Sequence, residues 1–222
     1  MSKEQTLIYG IRSVKEAIES EKSLNRVYIQ RGLKGASAFD LIKTLNKKDI
    51  EISYVPIEKL NRFTLKNHQG VVATIAPIKF LSIDDLSKIV EKKKDSCQIL
   101  ILDQISDVRN FGAIVRTAEC SGVDCIIIQS SGNAPVNGDT IKTSSGAVFN
   151  VPICKVGHIK DGIFLLKQLN IKIYGATEKA KKNIYQTDFK SSKAIVMGSE
   201  GKGLSKSVID LCDELIKIPL LG

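Results

Sequence analysis

Three polar residues, Asn110, Arg116 and Glu200, stand in stretches where tight turns meet helices. Asn110 and Arg116 belong to "RNFGAIVRTA", which follows the apolar run "ILILD", and Glu200 lies among three glycines in "GSEGKGLS". An arginine can hold a phosphate through two hydrogen bonds and stabilise developing negative charge. An asparagine can orient a ligand hydroxyl, but it is also well suited to cap a helix. These residue types can contact a polar or phosphate-bearing ligand, but they do not by themselves identify a reaction.

Short apolar runs precede these stretches and alternate with helical patterns from Cys97 onward. The runs span 98–103, 124–129, 171–177 and 193–200, and the helical patterns span 111–121, 158–169 and 204–212. Nearly continuous apolar strands separated by helices favour a parallel sheet that is covered on both faces. Ligands bind such sheets where the carboxyl ends of the strands meet.

Four polar or glycine-rich stretches lie at those carboxyl ends: "DQISDVRNFGA", "QSSGNAPVN", "GATEKAKKN" and "GSEGKGLS". Turn formation is the simpler explanation for any one of them, since Gly, Asn and Ser are common turn residues. It is a weaker explanation for all four together. We therefore expect a single site at that edge of the sheet.

The common nucleotide and metal sites are not indicated. A Walker loop needs Lys followed directly by Ser or Thr, whereas Lys202 precedes Gly203. No G-x-G-x-x-G pattern follows a strand. The five cysteines form no C-x-x-C pair and only two histidines are present, so no metal site is predicted.

The front part of the chain is predicted to be a separate small α/β domain. "IRSVKEAIES" and "AFDLIKTLNKK" have helical patterns, and "RVYIQ", "EISYVP" and "HQGVVATIAP" are typical of strands. A helix within "FLSIDDLSKIVEKKKDSC", capped by Ser82, is predicted to bridge two domains. We expect a first domain over 1–76, a linker helix over 77–96 and a second domain over 97–222.

The charge balance favours a polyanionic partner. Lys and Arg number 33 against 24 Asp and Glu, which gives a formal net charge of +9. Basic proteins gain affinity for nucleic acids by releasing counterions from phosphates. The lysine-rich runs "EKKKD" and "EKAKKN" are candidates for such contacts, although a solvated face explains them equally well. Further candidates in the front domain are Arg12, Asn61, Arg62, Lys66 and His68, of which His68 more simply forms a turn.

The location is predicted to be the cytoplasm, with no membrane contact. The N-terminus "MSKEQTLIYG" has no apolar signal region. No stretch reaches the roughly 18 apolar residues of a membrane span.

The motifs "NFGAIVRTA", "VMGSEGKGLS" and "IKIPLLG" resemble, in order and spacing, the three motifs of the SPOUT superfamily of RNA methyltransferases. The chain is most similar to the TrmH-like branch of ribose 2′-O-methyltransferases. The stretches "IYGIRSVKEAI" and "HQGVVA" resemble a small RNA-binding domain related to ribosomal protein L30e, which precedes the catalytic domain in large-subunit rRNA guanosine methyltransferases. The resemblance implies a SPOUT-type α/β-knot domain with a deep trefoil knot, preceded by an L30e-like α/β domain.

The same resemblance implies S-adenosyl-L-methionine as the cofactor and a homodimer formed through the knotted domain. Gly198 and Ile218 match cofactor-contacting positions, and Leu220 is adjacent to them. Ser145 and Gly146 belong to "TSSGAVFNVP", which matches a segment that lines the family's site. Asn110, Arg116 and Glu200 match the catalytic polar positions.

Two roles are open for Arg116. The resemblance favours a general base, yet an arginine hardly ever gives up its proton. In the other role, Arg116 stays cationic, holds the nucleotide's phosphate and stabilises the developing alkoxide. Asn110 would orient the ribose or hold Arg116, and Glu200 would orient Arg116 as an ion-pair partner.

The expected substrate is a guanosine of 23S rRNA, and one alternative is that the chain is a tRNA ribose methyltransferase. In the family the third motif continues past "IPLLG", whereas this sequence stops at Gly222. We therefore expect either a shortened form of a longer enzyme, which would bind the cofactor weakly, or a non-catalytic RNA-binding or ribosome-assembly protein on the same fold.

Overall fold

Two sheets organise the chain in a computed structural model, which describes residues 5–93 and 96–219. The chain divides into two compact units. The first unit comprises Met1–Lys79 and Val136–Asn150, and the second comprises Phe80–Pro135 and Val151–Gly222. The segment 136–150 thus belongs to the first unit, although it connects two strands of the second.

The first unit contains a four-stranded sheet with three helices from the front of the chain. In chain order these elements are β1 (Thr6–Tyr9), α1 (Ile11–Glu19), β2 (Leu24–Gln30), α2 (Ala36–Lys47), β3 (Ile52–Val55), α3 (Ile57–Phe63) and β4 (Val71–Ile75). The strand order is β1-β4-β2-β3. The β2–β3 pair is parallel, whereas β4 runs antiparallel to both of its neighbours.

The predicted helices α1 and α2 and strands β2, β3 and β4 are confirmed. The strand β1 and the helix α3 were not predicted, because each is short and depends on tertiary contacts. The four residues of β1 are held by pairing with β4. The helix α3 buries Leu60 against Tyr9, Val55 and Val72 on one face of the sheet.

The remaining elements follow in chain order. They are α4 (Ile83–Lys93), β5 (Gln98–Asp103), α5 (Val108–Cys120), β6 (Cys125–Gln129), α6 (Gly138–Thr143), β7 (Ile153–Val156), α7 (Ile159–Gln168), β8 (Lys172–Ala176), β9 (Lys182–Asn183), β10 (Lys193–Gly198), α8 (Lys206–Ile209) and β11 (Glu214–Lys217). Of these, α6 lies in the first unit.

The second unit contains the predicted parallel sheet. Its strand order is β7-β6-β5-β10-β8-β11-β9, and every pairing is parallel. Ile99, Ile101 and Ile127 join a core that includes residues of α4, α7 and α8. Leu100, Leu102 and Ile126, which alternate with them, are also buried. Both faces of the sheet are therefore covered, as the continuous apolar strands predict. The trefoil knot stays a prediction.

For the helix expected as a linker the domain division stays a prediction, whereas a second helix differs from the expectation in length. The helix expected as a linker, α4, packs Leu86 and Val90 into the core of the second unit. Its capping residue is confirmed, since Ser82 Oγ accepts a hydrogen bond from the Asp85 backbone N–H at 3.2 Å. The predicted helix 204–212 is wrong in length, because only Lys206–Ile209 is helical. The chain must turn near Asp210 to place β11 beside β8.

The cysteines show which parts of the second unit exclude solvent. Cys97, Cys125 and Cys154 are buried, whereas Cys120 at the end of α5 is exposed. Burial is the main reason that the pKa of Cys125 rises to about 12 and the pKa values of Cys97 and Cys154 rise to about 11. A thiol is reactive only as the thiolate. The three buried thiols are therefore unreactive for two reasons: reagents cannot reach them, and their raised pKa values keep them protonated.

Alkylation with iodoacetamide at mildly alkaline pH should modify Cys120 first and leave the three buried cysteines unmodified. Peptide mass spectrometry after a short pulse measures the order. In urea all of the cysteines should react alike, which is the control for intrinsic reactivity. Early labelling of Cys125 in the folded chain would contradict the position of β6 in the core.

Candidate functional site

The centre of the second sheet brings two of the predicted loops together. The strands β5 and β10 are parallel neighbours, and their last residues, Asp103 and Gly198, are paired in register. Their carboxyl ends therefore meet at the same edge of the sheet. The loop 104–107 follows β5 and the loop 199–205 follows β10, so the stretches that carry Asn110 and Glu200 start side by side.

A buried carboxylate ties these two loops together. Asp103 is only 3% exposed, and its Oδ2 accepts a hydrogen bond from the Ser205 backbone N–H at 2.8 Å. Sequence reasoning identified the surrounding stretch but not this residue. The available signal was an acid as the last residue of a buried apolar strand, where a carboxylate needs a polar partner.

The loop after β10 folds back on its own start. The Gly203 backbone N–H donates to the Ser199 carbonyl at 2.8 Å, and Gly203 has a φ of 65°. A Cβ added to Gly198 would lie 2.1 Å from the Gly203 carbonyl carbon and 2.4 Å from the Leu204 nitrogen. Gly198 is therefore required by the shape of the loop itself. Its expected contact with a cofactor stays a prediction.

The helix α5 begins three residues earlier than predicted, and its cap differs from the expectation. Asp107 is the N-cap residue, and its Oδ1 accepts a hydrogen bond from the Asn110 backbone N–H at 2.8 Å. The interpretation of Asn110 as the helix cap is therefore wrong, because Asp107, three residues earlier, already fills that role. As a result, the Asn110 side chain is available for another contact.

Asn110 and Glu200 form that contact. The Asn110 Nδ2 donates a hydrogen bond to the Glu200 Oε2 at 3.0 Å, across 90 residues of sequence. Both residues line an open cleft of about 350 Å³. The other lining residues are Gln104, Ile105, Ser106, Asp107, Gly132, Ser199, Gly201 and Lys202. The volume lies at the lower end of the range for small-molecule sites, and most of the lining residues have polar side chains.

Arg116 lies apart from this pair. It is an exposed residue of α5, about 9 Å along the helix axis from Asn110, and it is not among the lining residues of the cleft. No ion pair between Arg116 and Glu200 is found within the described part of the chain, residues 5–93 and 96–219. Glu200 instead holds Asn110. The exposed position of Arg116 leaves its guanidinium accessible to a large ligand.

The other expected cofactor residues are dispersed. Ile218 directly follows β11 and is 57% exposed, outside the lining of the cleft. Ser145 and Gly146 lie in the first unit, where a Cβ on Gly146 would be 2.4 Å from the Cβ of Glu16 in α1. Leu220 lies outside the described residues. The cofactor roles of these residues stay predictions.

The front-domain candidates have identifiable structural roles. His68 is buried, its Nδ1 accepts from the Gly70 backbone N–H at 3.0 Å and its Nε2 donates to Asn61 Oδ1 at 2.9 Å. The simpler reading of His68 as a turn residue is therefore confirmed. Lys66 pairs with Asp139, and Arg12 lies 3.8 Å from Glu16.

The lysine-rich runs are partly engaged within the second unit. Lys93 pairs with Asp124 at 2.7 Å, and Lys182 pairs with Glu214. Residues 94–95 of "EKKKD" lie outside the described residues. Within the described ranges no group of three or more His, Cys, Asp or Glu could hold a metal ion, and no helix is long and apolar enough to cross a membrane.

The chain is similar to known protein families over both of its units. The profile of the SpoU rRNA methylase family matches residues 98–222, and the profile for RNA 2′-O ribose methyltransferase substrate binding matches residues 7–81. The putative TrmH family tRNA/rRNA methyltransferase YacO of Bacillus subtilis is 32% identical over 222 residues, which is all of this chain and 89% of the relative. A putative TrmH family tRNA/rRNA methyltransferase of Staphylococcus aureus is 35% identical over 219 residues, 99% of this chain and 88% of the relative.

Solved structures share the fold. The SpoU methyltransferase AviRb of Streptomyces viridochromogenes, in complex with AdoMet, has a TM-score of 0.78 and 22% identity, over 98% of this chain and 82% of that chain. An rRNA methyltransferase of Sinorhizobium meliloti has a TM-score of 0.78 and 19% identity, over 99% and 81% of the two chains.

Replacing Gly198 by alanine should destabilise the second unit by about 1–3 kcal/mol, because the added Cβ meets fixed backbone of the folded loop. The matched control is Gly201→Ala in the same loop, where a Cβ meets nothing within 4 Å. Urea unfolding measures both free energies. Equal stability of the two variants would contradict the fold-back of this loop.

Proposed function

The chain belongs to the SpoU family of RNA 2′-O-ribose methyltransferases, and on that premise we propose that it transfers a methyl group from S-adenosylmethionine to the ribose 2′-hydroxyl of a guanosine in 23S rRNA. The observation that carries the proposal for this site is the Asn110–Glu200 hydrogen bond at 3.0 Å. It joins residues from two of the three motifs in a cleft at the carboxyl ends of β5 and β10.

The residues of the second unit fit the cofactor. Gly132 and Gly201 line the cleft, and a Cβ on either would meet nothing within 4 Å, so backbone groups are accessible there. Glu200 and Asp107 would supply negative charge to a cationic sulfonium, and Lys202 would supply positive charge to a carboxylate. When bound, S-adenosylmethionine supplies an electrophilic methyl group. Gly198, Ile218 and Leu220 are retained as proposed contacts from the motif match, and Ser145 and Gly146 as proposed lining residues.

The chain must position and activate a poor nucleophile. A ribose hydroxyl must lose its proton as the methyl group arrives. We assign Asn110, held by Glu200, to orient this hydroxyl. Alignment of the reacting groups lowers the barrier, because aligned reactants behave as if highly concentrated.

Arg116 is assigned the cationic role rather than that of a base. Its exposed position on α5 suits contact with a nucleotide phosphate, which its guanidinium can bind through two hydrogen bonds. Stabilising the developing alkoxide then needs no loss of the arginine proton, and the hydroxyl proton passes to water, to which the open cleft gives access. The lack of a described ion pair with Glu200 agrees with a side chain that binds substrate.

A ribosomal target is preferred, and tRNA is the second candidate. The matched family profile is described as an rRNA methylase family, and a substrate-binding profile covers 7–81. The two bacterial relatives are both named as tRNA/rRNA methyltransferases, which leaves both RNAs open. Membership of this family favours an enzyme over the non-catalytic alternative.

Two architectural expectations complete the proposal. The first is the division into an RNA-binding domain at 1–76, a linker at 77–96 and a catalytic domain at 97–222. The second is a homodimer through the second unit. Phe164 and Ile218 are large apolar residues of that unit and are 51% and 57% exposed, so each would lose contact with water if a second copy covered it.

The proposed reaction can be tested with methyl-labelled S-adenosylmethionine and RNA from cells that lack the gene. Methylation of a 2′-hydroxyl blocks alkaline cleavage at that nucleotide, so the label should appear in an alkali-stable dinucleotide that contains guanosine. Label in large-subunit rRNA is expected, and label in tRNA would support the second candidate. Label on a base would contradict ribose methylation.

Substituting Arg116 by alanine should lower kcat about a hundred-fold or more, because one stabiliser of the developing charge is lost. RNA affinity should fall far less than kcat, since only one phosphate contact is lost, and Arg116→Lys should retain more activity because it keeps the charge. Single-turnover methyl transfer and filter binding measure the two effects. The control is Lys88→Ala, which removes an exposed cation from α4. Wild-type turnover by Arg116→Ala would rule out the assignment.

Substituting Glu200 by glutamine should lower kcat/KM about five- to tenfold, and Glu200→Ala should lower it further. Glutamine keeps an oxygen that can accept from Asn110 but loses the charge that strengthens the hydrogen bond. The control is Glu91→Gln on α4. If the glutamine and alanine variants both retain full activity, Glu200 is only a solvated loop acid.

A further inference from the structure

An aromatic pair on the first unit is built by the packing of α3 on the sheet. Leu60 anchors this helix in the cluster with Tyr9, Val55 and Val72. One turn later, Phe63 lies against Tyr28 of β2, with ring centroids 4.8 Å apart and ring planes inclined by 31°. The half-buried Tyr28 thus supports one face of the Phe63 ring.

Part of the Phe63 side chain is accessible to solvent. Phe63 is 37% exposed, although the cluster around Leu60 already covers the sheet beneath α3. Packing explains the inner face of the ring but not its open side. A rigid ring with one supported face and one open face is suited to stacking, because little conformational freedom is lost when a second ring binds.

Cations surround the pair. The Lys59 Nζ lies 5.7 Å from the centroid of the Tyr28 ring. Arg26 is exposed and lies two residues before Tyr28 on β2, so the two side chains are on the same face of the sheet. Arg62 directly precedes Phe63 in the last turn of α3. These three residues are exposed, so each is accessible to the phosphates of a bound RNA.

Three acidic residues near the pair can be named among the described residues, and one of them, Asp139, is paired with Lys66 and accepts from the Tyr9 hydroxyl. Glu51 precedes β3 and interacts with Arg26. Glu58 stands in the first turn of α3, about 7 Å along the helix axis from Phe63. The surface around the open ring face is therefore predominantly positive, which is complementary to a nucleic acid strand and opposed to a basic partner protein.

We propose that Arg26, Tyr28, Lys59, Arg62 and Phe63 form a stacking platform for an unpaired base of the substrate RNA. This proposal rests on the proposed function, since it identifies where the first unit holds the RNA. Aromatic side chains with neighbouring Arg and Lys bind single-stranded nucleotides, because every base has a flat face and every linkage carries a phosphate. A fully paired helix keeps its bases stacked internally and would not engage the ring.

The test uses the full chain and two probes, a hairpin RNA with an unpaired loop and a blunt duplex of the same length. Phe63→Leu keeps apolar volume against Tyr28 but removes the ring. Stacking contributes about 1–3 kcal/mol per base, so hairpin affinity should fall roughly five- to a hundred-fold while duplex affinity is unchanged. Fluorescence anisotropy at fixed salt measures both dissociation constants.

Two variants separate stacking from a loss of folding. Phe63→Trp should retain hairpin affinity, because tryptophan restores an aromatic face. Phe39→Leu is the matched control, since Phe39 is a 73% exposed phenylalanine on α2 that makes none of the ring contacts found among the described residues. Arg62→Ala should weaken both probes and reduce the salt dependence of binding by about one charge.

Unchanged hairpin affinity in Phe63→Leu would overturn the platform, as would an equal loss for hairpin and duplex, or no binding of either probe by the unaltered chain. If the aromatic pair binds a protein in place of RNA, hairpin affinity will be unchanged in Phe63→Leu. The outcome is separable from the reaction itself. A chain that transfers methyl groups but binds independently of Phe63 refutes the platform alone, whereas Phe63-dependent binding without methyl transfer refutes only the proposed function.

Discussion

A buried carboxylate, that of Asp103, accepts a hydrogen bond from the Ser205 backbone N–H and so joins the end of β5 to the loop after β10. The parallel pairing of the two strands brings Asp103 and Gly198 level with each other. Leaving such a buried group without its partner costs about 1–3 kcal/mol. The relative position of the two loops therefore depends on this hydrogen bond, and so does the cleft that lies between them.

Some polar residues of this cleft stabilise its loops, and their neighbours are left to contact a ligand. Asp107 caps α5 by accepting from the Asn110 backbone, which leaves the Asn110 side chain to reach Glu200. Gly198 and Gly203 allow the second loop to fold back tightly. The exposed part of the loop then presents Glu200 toward α5. A methyl-transfer site of this kind needs rigid loops, because small displacements of the reacting groups reduce the rate strongly.

Much of the second unit could be predicted from the sequence, because its strands are buried on both faces and appear as continuous apolar runs. The run 98–103 is β5 with its predicted bounds. The two-residue strand β9 could not be predicted, since it exists only through pairing with β11. Segment 136–150 joins the first unit, and no local pattern reveals which core an apolar segment enters. Asn110 and Glu200 were identified through motifs, whereas the role of Asp103 depends on a residue 102 positions away.

Calorimetric titration of S-adenosylmethionine tests most directly whether the Asp103–Ser205 hydrogen bond supports the site. The unaltered chain, Asp103→Ala and the control Asp210→Ala, which removes an exposed acid next to α8, would be compared at a temperature where circular dichroism shows all three folded. We expect the Asp103 variant to bind at least about tenfold more weakly, since about 1.4 kcal/mol corresponds to a factor of ten, and the control to bind like the unaltered chain. Equal affinity of the Asp103 variant and the unaltered chain would contradict the account.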